Sequence, residues 1–83
     1  MSDVIHVEAR FGEDGEIFPL VFVWEKRRFS VLALGRQWQV GQSRHFLIMA
    51  SGEQVFDITY NEEEGSWCMG RSPAGFGRNR LAV

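Results

Sequence analysis

The sequence is short of the residues that several common functions require. It has one cysteine, Cys68, so no disulfide can close within the chain, and a lone thiol fits a reducing cytoplasm. His6, His45 and Cys68 are the only soft metal ligands, and no CxxC or HxxxH spacing joins them. Structural zinc sites are built from such close pairs, so no metal is expected. Glycine-rich phosphate loops are missing as well. GFGRNR at 75–80 holds only GxG, and it neither follows a strand nor opens a helix, the context that such a loop needs. The longest apolar runs are LVFVW at 20–24 and FLIMA at 46–50, far short of the roughly 20 residues of a membrane-spanning helix. The first ten residues already alternate and carry acids, so no secretory signal is read there. These absences leave no membrane segment, no cofactor and no small-molecule substrate in view, and they point to a cytoplasmic chain.

What is present is an ordinary globular mixture, 45% hydrophobic and 24% charged, in 83 residues. That length fits one domain with a stability on the order of 5 kcal/mol. Seven Phe, three Trp and one Tyr supply large buried areas per residue, which a small core needs. The net charge of −2 hides an asymmetry. Residues 1–64 hold eleven acids and six bases, net −5, and residues 65–83 hold three bases and no acid, net +3. Residues 1–71 read as a single β domain and 72–83 as a flexible Gly- and Arg-containing tail.

Helical periodicity is missing, and short runs alternate between Gly-containing turns, which is the strand signature. Strands are predicted over Asp3–Arg10, Ile17–Lys26, Phe29–Val40, Arg44–Ala50, Gln54–Tyr60 and Ser66–Met69. The third is expected to break near Gly35, since a glycine inside a strand often marks a bulge or sharp bend, and EKRR at 25–28 is a charged turn before it. Pro19, lacking an N–H, belongs at a strand start or an edge. In the second strand Leu20, Phe22 and Trp24 share one face, with Val21 and Val23 on the other. Both faces are apolar, so the strand is either central or exposes a sticky side. Five or six short antiparallel strands with no helix imply an all-β fold, a small barrel or strongly curved sheet of SH3-like or similar type, since closure limits exposed edges.

The stretch VFDITYNEEEGSW, 55–67, holds four acids and three aromatics. A four-residue loop, Glu62 to Gly65, pairs Asn61 with Ser66, Tyr60 with Trp67 and Ile58 with Met69. In that register Phe56, Ile58, Tyr60, Trp67 and Met69 share one face, and apolar matching of this kind sets register. The three glutamates then lie at a loop tip in water, and Asp57 lies about 13 Å from Asn61 on the opposite face. The acids are separated, not convergent. A nucleophilic role for Cys68 would need a histidine partner and an activating environment, and the strand phases do not bring Asp57, His45 and Cys68 into a pocket. No catalytic residue is therefore assigned.

The remaining signal is basic and aromatic. Lys26, Arg27 and Arg28 cluster at one turn, and Arg36 and Trp38 follow on the next segment. With Val21, Val23 and Trp24 they form the candidate partner-binding set, because Trp and Arg are enriched at interface hot spots. A protein partner or a second copy of the chain is the first reading. Single-stranded nucleic acid, held through Arg27, Arg28, Arg36, Trp38 and the tail, is the alternative.

The order of several landmarks also resembles a family of short bacterial domains of unknown function. Pro19, Phe22-Val23-Trp24, Arg27-Arg28, Phe29 and the later Trp38 carry the first half of that pattern. Val55-Phe56-Asp57-Ile58, Tyr60, the acidic turn 62–65 and Trp67 carry the second. The resemblance covers roughly residues 4–71. Such domains occur alone, and similar ones end proteins related to Y-family, lesion-tolerant DNA polymerases. The resemblance implies an accessory role near DNA replication or repair and supplies no catalytic residues.

Overall fold

The computed structural model describes residues 3–72. Six antiparallel strands, β1 (Asp3–Phe11), β2 (Ile17–Trp24), β3 (Arg27–Val40), β4 (Ser43–Ala50), β5 (Gln54–Asn61) and β6 (Ser66–Arg71), follow one another around a closed barrel. The described residues contain no helix, so none is long and apolar enough to cross a membrane. The all-β reading and the small barrel hold. The predicted tail lies outside the described residues, apart from Ser72.

Alternation builds the core. Phe22, Phe46, Phe56 and Ile58 are fully buried, and Ile17, Phe29, Ile48, Ala50, Trp67 and Met69 complete the cluster. The β5–β6 register is the predicted one, with Asn61 opposite Ser66, Tyr60 opposite Trp67 and Ile58 opposite Met69. Gly65 closes the loop at φ 69°, in the left-handed region that glycine enters without steric cost. The Asn61 side chain accepts a bond from the Glu64 N–H at 2.8 Å, which fixes the loop from its first residue.

Bulges alter the phases elsewhere. Glu8 opposes Val21 and Ala9 opposes Pro19, so Leu20 is the extra residue of a bulge. Leu20 is therefore exposed and does not share the face of Phe22 and Trp24. β3 does not break at Gly35; it runs unbroken for 14 residues. It bends through register shifts at Val31/Ala33 and at Leu34/Gln37, and Gly35 lies in the second of them, as a strand glycine leads one to expect.

The turn before β3 is tighter than the sequence suggested. Trp24 pairs with Arg27, leaving only Glu25 and Lys26 between the strands. Their φ values are 53° and 65°, the backbone of a two-residue primed turn that favours Asn-Gly. Arg27 and Arg28 are strand residues, not part of the turn.

Candidate recognition face

Parity divides the eight candidate binding residues. Trp24 points inward, with its ring 5.6 Å from Phe56 and 6.5 Å from Phe29, so it is a partly buried core-rim residue. Lys26 is at the exposed turn, and Arg27 lies 5.9 Å over the Phe29 ring. Val21 and Val23 do face outward, half-buried. They are flanked by polar neighbours: Val21 lies between Glu8 and Ser30, and Val23 between His6 and Arg28. Arg28 pairs with Glu8 at 3.2 Å across this wall. Such an exposed pair adds little stability, but it crosses the region predicted to be sticky.

Arg36 and Trp38 lie on a different wall, beyond the bends of β3. Trp38 stacks on His45 of β4 with ring centroids 5.2 Å apart and planes 3° apart. The Arg36 guanidinium is 5.6 Å from the same indole. The binding set is thus split between two walls, because β3 bends between Arg28 and Arg36.

The wall that carries Trp38 has residues the sequence reading did not nominate. With Phe46, Ile48 and Ala50 buried, the alternate residues Leu47 and Met49 face outward. Where β3 bulges away from β4, Ala33, Gly35, Leu47, Met49 and Val55 line a groove of about 190 Å3. The signal was present in FLIMA, whose two faces are both apolar like those of LVFVW. The groove beside Gly35 is also close-packed: a Cβ there would meet the Leu47 carbonyl oxygen at 3.1 Å.

The same outer wall carries Asp57, His45 and Cys68, spaced along it and not converging. His45, Thr59 and Cys68 occupy one cross-strand row, and Asp57 opposes Leu47 one step along. His45 Nδ1 and Thr59 Oγ1 are hydrogen-bonded at 3.2 Å. Thr59 separates His45 from Cys68 by two strand spacings, about 9–10 Å, too far for direct proton transfer or a shared metal. Among the described residues no three His, Cys, Asp or Glu side chains gather to hold a metal ion. The three glutamates lie exposed at the loop tip, as expected, and Glu62 also accepts from Arg44 Nη2 and Gln39 Nε2, each at 3.0 Å.

Asp57 is the one buried charged residue among those described, 9% exposed. Its Oδ1 has no hydrogen-bond partner among the described residues. A bulge explains its neighbourhood. Ile58 opposes Met69, but Asp57 opposes Arg71, so Gly70 is the extra residue. Without it Arg71 would oppose Phe56 and face the core; the shift turns it outward beside the carboxylate. Burial raises the Asp57 pKa above its ordinary value of 3.8, against the opposing charges of His45 and Arg71.

The sign of the linkage follows. The folded state holds this proton more tightly than the unfolded chain, so the group's contribution to stability is greatest below about pH 3.8. It falls as pH rises through the folded value and is constant above it. Asp57→Asn keeps the shape and removes the ionisation. Urea unfolding at pH 4, 5.5 and 7 should show the variant gaining on the native protein as pH rises. A native protein that instead gains on Asp57→Asn from pH 4 to 7 would show that His45 and Arg71 outweigh burial.

No family model, no curated protein and no solved structure matches the chain. The wall formed by β3, β4 and β5, with Trp38 and Arg36 beside an apolar groove, is the candidate recognition face on its geometry alone.

Proposed function

We propose that the chain is a non-catalytic binding module that recognises a protein partner, or a second copy of itself, through the outer wall of β3–β5. The observation that carries this reading is the groove of Ala33, Gly35, Leu47, Met49 and Val55, bordered by the Arg36–Trp38–His45 stack. Apolar surface ringed by aromatic and Arg side chains is what protein interfaces use at their centres. The groove has no titratable side chain in its lining, whereas an enzyme needs an acid, base or nucleophile facing a concavity. The resemblance to domains that accompany lesion-tolerant polymerases makes replication and repair proteins the first partners to test.

Single-stranded nucleic acid is less well served. The Trp38 ring is already stacked on His45, Arg28 is paired with Glu8, and Arg27 and Arg28 lie on a different wall from Arg36. Among the described residues no pocket is lined by several basic side chains beside an open aromatic face, which is what strand-tracking proteins provide.

Met49→Glu tests the reading, because Met49 is 39% exposed and a charge there leaves the core intact. Sedimentation velocity over a wide concentration range, and co-purification with replication and repair proteins, should show association that Met49→Glu weakens by tenfold or more, about 1.4 kcal/mol or greater. Val21→Glu on the other wall should leave it unchanged. Loss with Val21→Glu alone would move the interface to the β1–β2 wall. Tryptophan quenching by a mixed oligonucleotide that collapses between about 50 and 200 mM salt would replace the proposal with the nucleic-acid reading.

A further inference from the structure

Closure of the barrel leaves two strand edges open. β6 pairs with β1 only through Asp3–Met69, Val4–Cys68 and Ile5–Trp67, yet β1 continues to Phe11. From His6 to Phe11 one side of β1 is bonded to β2, and no strand among the described residues lies beside the other. No turn or loop backbone bond among the described residues reaches that stretch. The second open edge belongs to β2, whose register with β3 covers only Val21–Trp24. There Pro19 removes a donor and the Leu20 bulge kinks the strand, two devices that blunt an edge against pairing. β1 has no proline, so its edge stays competent to pair.

A groove of about 490 Å3 runs along this edge. Ile5, His6, Val7 and Phe11 form one side, Gly65 and Trp67 the other, and Tyr60 contributes the aromatic surface between them. Phe11 is 57% exposed and meets Tyr60 edge-on at 5.8 Å. The groove therefore offers two things at once: unpaired backbone N–H and C=O groups, and an aromatic seat for a side chain. Extended peptides that add to a sheet edge use that combination, main-chain bonds for affinity and pockets for alternate side chains.

The charge around the groove specifies the peptide further. The loop 62–65 and the turn 12–16 are held at the same end of the barrel by Arg44, which donates to the Gly15 carbonyl at 2.8 Å and to Glu62 at 3.0 Å. These two segments also carry Glu13, Asp14, Glu16, Glu63 and Glu64, all exposed. No ion pair among the described residues involves any of these five. We propose that the open edge of β1, from His6 to Phe11, accepts an extended segment of a partner protein as an added strand. An apolar side chain of that segment sits against Phe11, Tyr60 and Trp67, and Lys or Arg beside it faces the acidic rim. This site shares no residue with the β3–β5 wall.

The test is an amide NMR titration of the full chain with a nine-residue positional-mixture peptide library, apolar at alternate central positions and Lys or Arg at both ends. The expected result is shifts confined to His6–Phe11, Tyr60 and Gly65–Trp67, with new protection from hydrogen exchange in β1. The same library N-methylated at alternate backbone positions should produce no such shifts. Phe11→Ser, at an exposed position, should weaken binding roughly tenfold while the native spectrum persists. No shift at millimolar total peptide, equal binding of the N-methylated library, or shifts confined to the Trp38 wall would each overturn the proposal. Concentration-dependent β1 shifts without peptide would assign the edge to a second copy and overturn it as well. Loss of binding in Met49→Glu has no bearing on this edge, so the two readings fail separately.

Discussion

Phe56→Ala is expected to remove most of the stability of this domain, about 3–5 kcal/mol from a total on the order of 5 kcal/mol. Phe56 has no exposed surface. Its ring lies 4.9 Å from Phe22, 5.1 Å from Phe29 and 5.6 Å from Trp24. It is the contact through which β5 meets the β2–β3 hairpin, so alanine opens a cavity between two walls of the barrel. It also removes three edge-on aromatic contacts, each adding about 0.5–1.5 kcal/mol beyond area. Phe56→Leu, which keeps much of the volume, should cost far less, about 1.5 kcal/mol. Urea unfolding followed by tryptophan fluorescence reads both variants, with Trp24 beside the lesion. The control is Phe11→Ala, expected to cost only about 0.5–1.5 kcal/mol, because the ring is 57% exposed and meets only Tyr60 edge-on. A Phe56→Ala loss below about 1 kcal/mol would show that the walls are not joined through this ring.

The second large effect belongs to a residue with no side chain. A Cβ on Gly70 would lie 2.8 Å from the Asp57 carbonyl oxygen and 3.1 Å from its Cγ. The obstacle is the backbone of a strand paired on both sides, which cannot swing aside as a flexible side chain would. Gly70 is needed for space, not for a left-handed backbone, and in this it differs from Gly65 at φ 69°. Gly70→Ala is expected to cost about 1–3 kcal/mol by overpacking, a melting temperature lower by roughly 4–8 °C for each kcal/mol. Gly70→Val should cost more. If the strain is relieved by expelling the bulge, β6 shifts by one residue and Arg71 turns toward the core. The Asp57, Arg71 and Met69 amide resonances would then move together. A Gly70→Ala protein that melts with the native one would mean that β6 yields freely at this point and the bulge is not held by packing.

Much of the architecture was legible because alternation is a local property. The burial of Phe56, Ile58, Trp67 and Met69, and the pairing of Asn61 with Ser66, follow from matching apolar positions across a short loop. The candidate site was legible only in part. Arg36 and Trp38 were nominated, but Leu47 and Met49, though visible as the second face of FLIMA, were not. Trp24, on the Phe22 face of β2, packs partly buried at the core rim, as alternation leads one to expect.

The sequence by itself determined the strand content, the core-facing parity of β5 and β6 and the register of the hairpin they form, all set by neighbours a few residues apart. Only the tertiary structure decided the register shifts at Glu8/Ala9, Val31/Ala33 and Asp57/Ile58. It also decided which edge of β1 stays open and that His45, Thr59 and Cys68 share a row. The physical reason is closure. Six strands can meet in a ring only if tilt and stagger agree around the whole circuit. The extra residues that reconcile them are placed by strands distant in the chain, so no local pattern announces them.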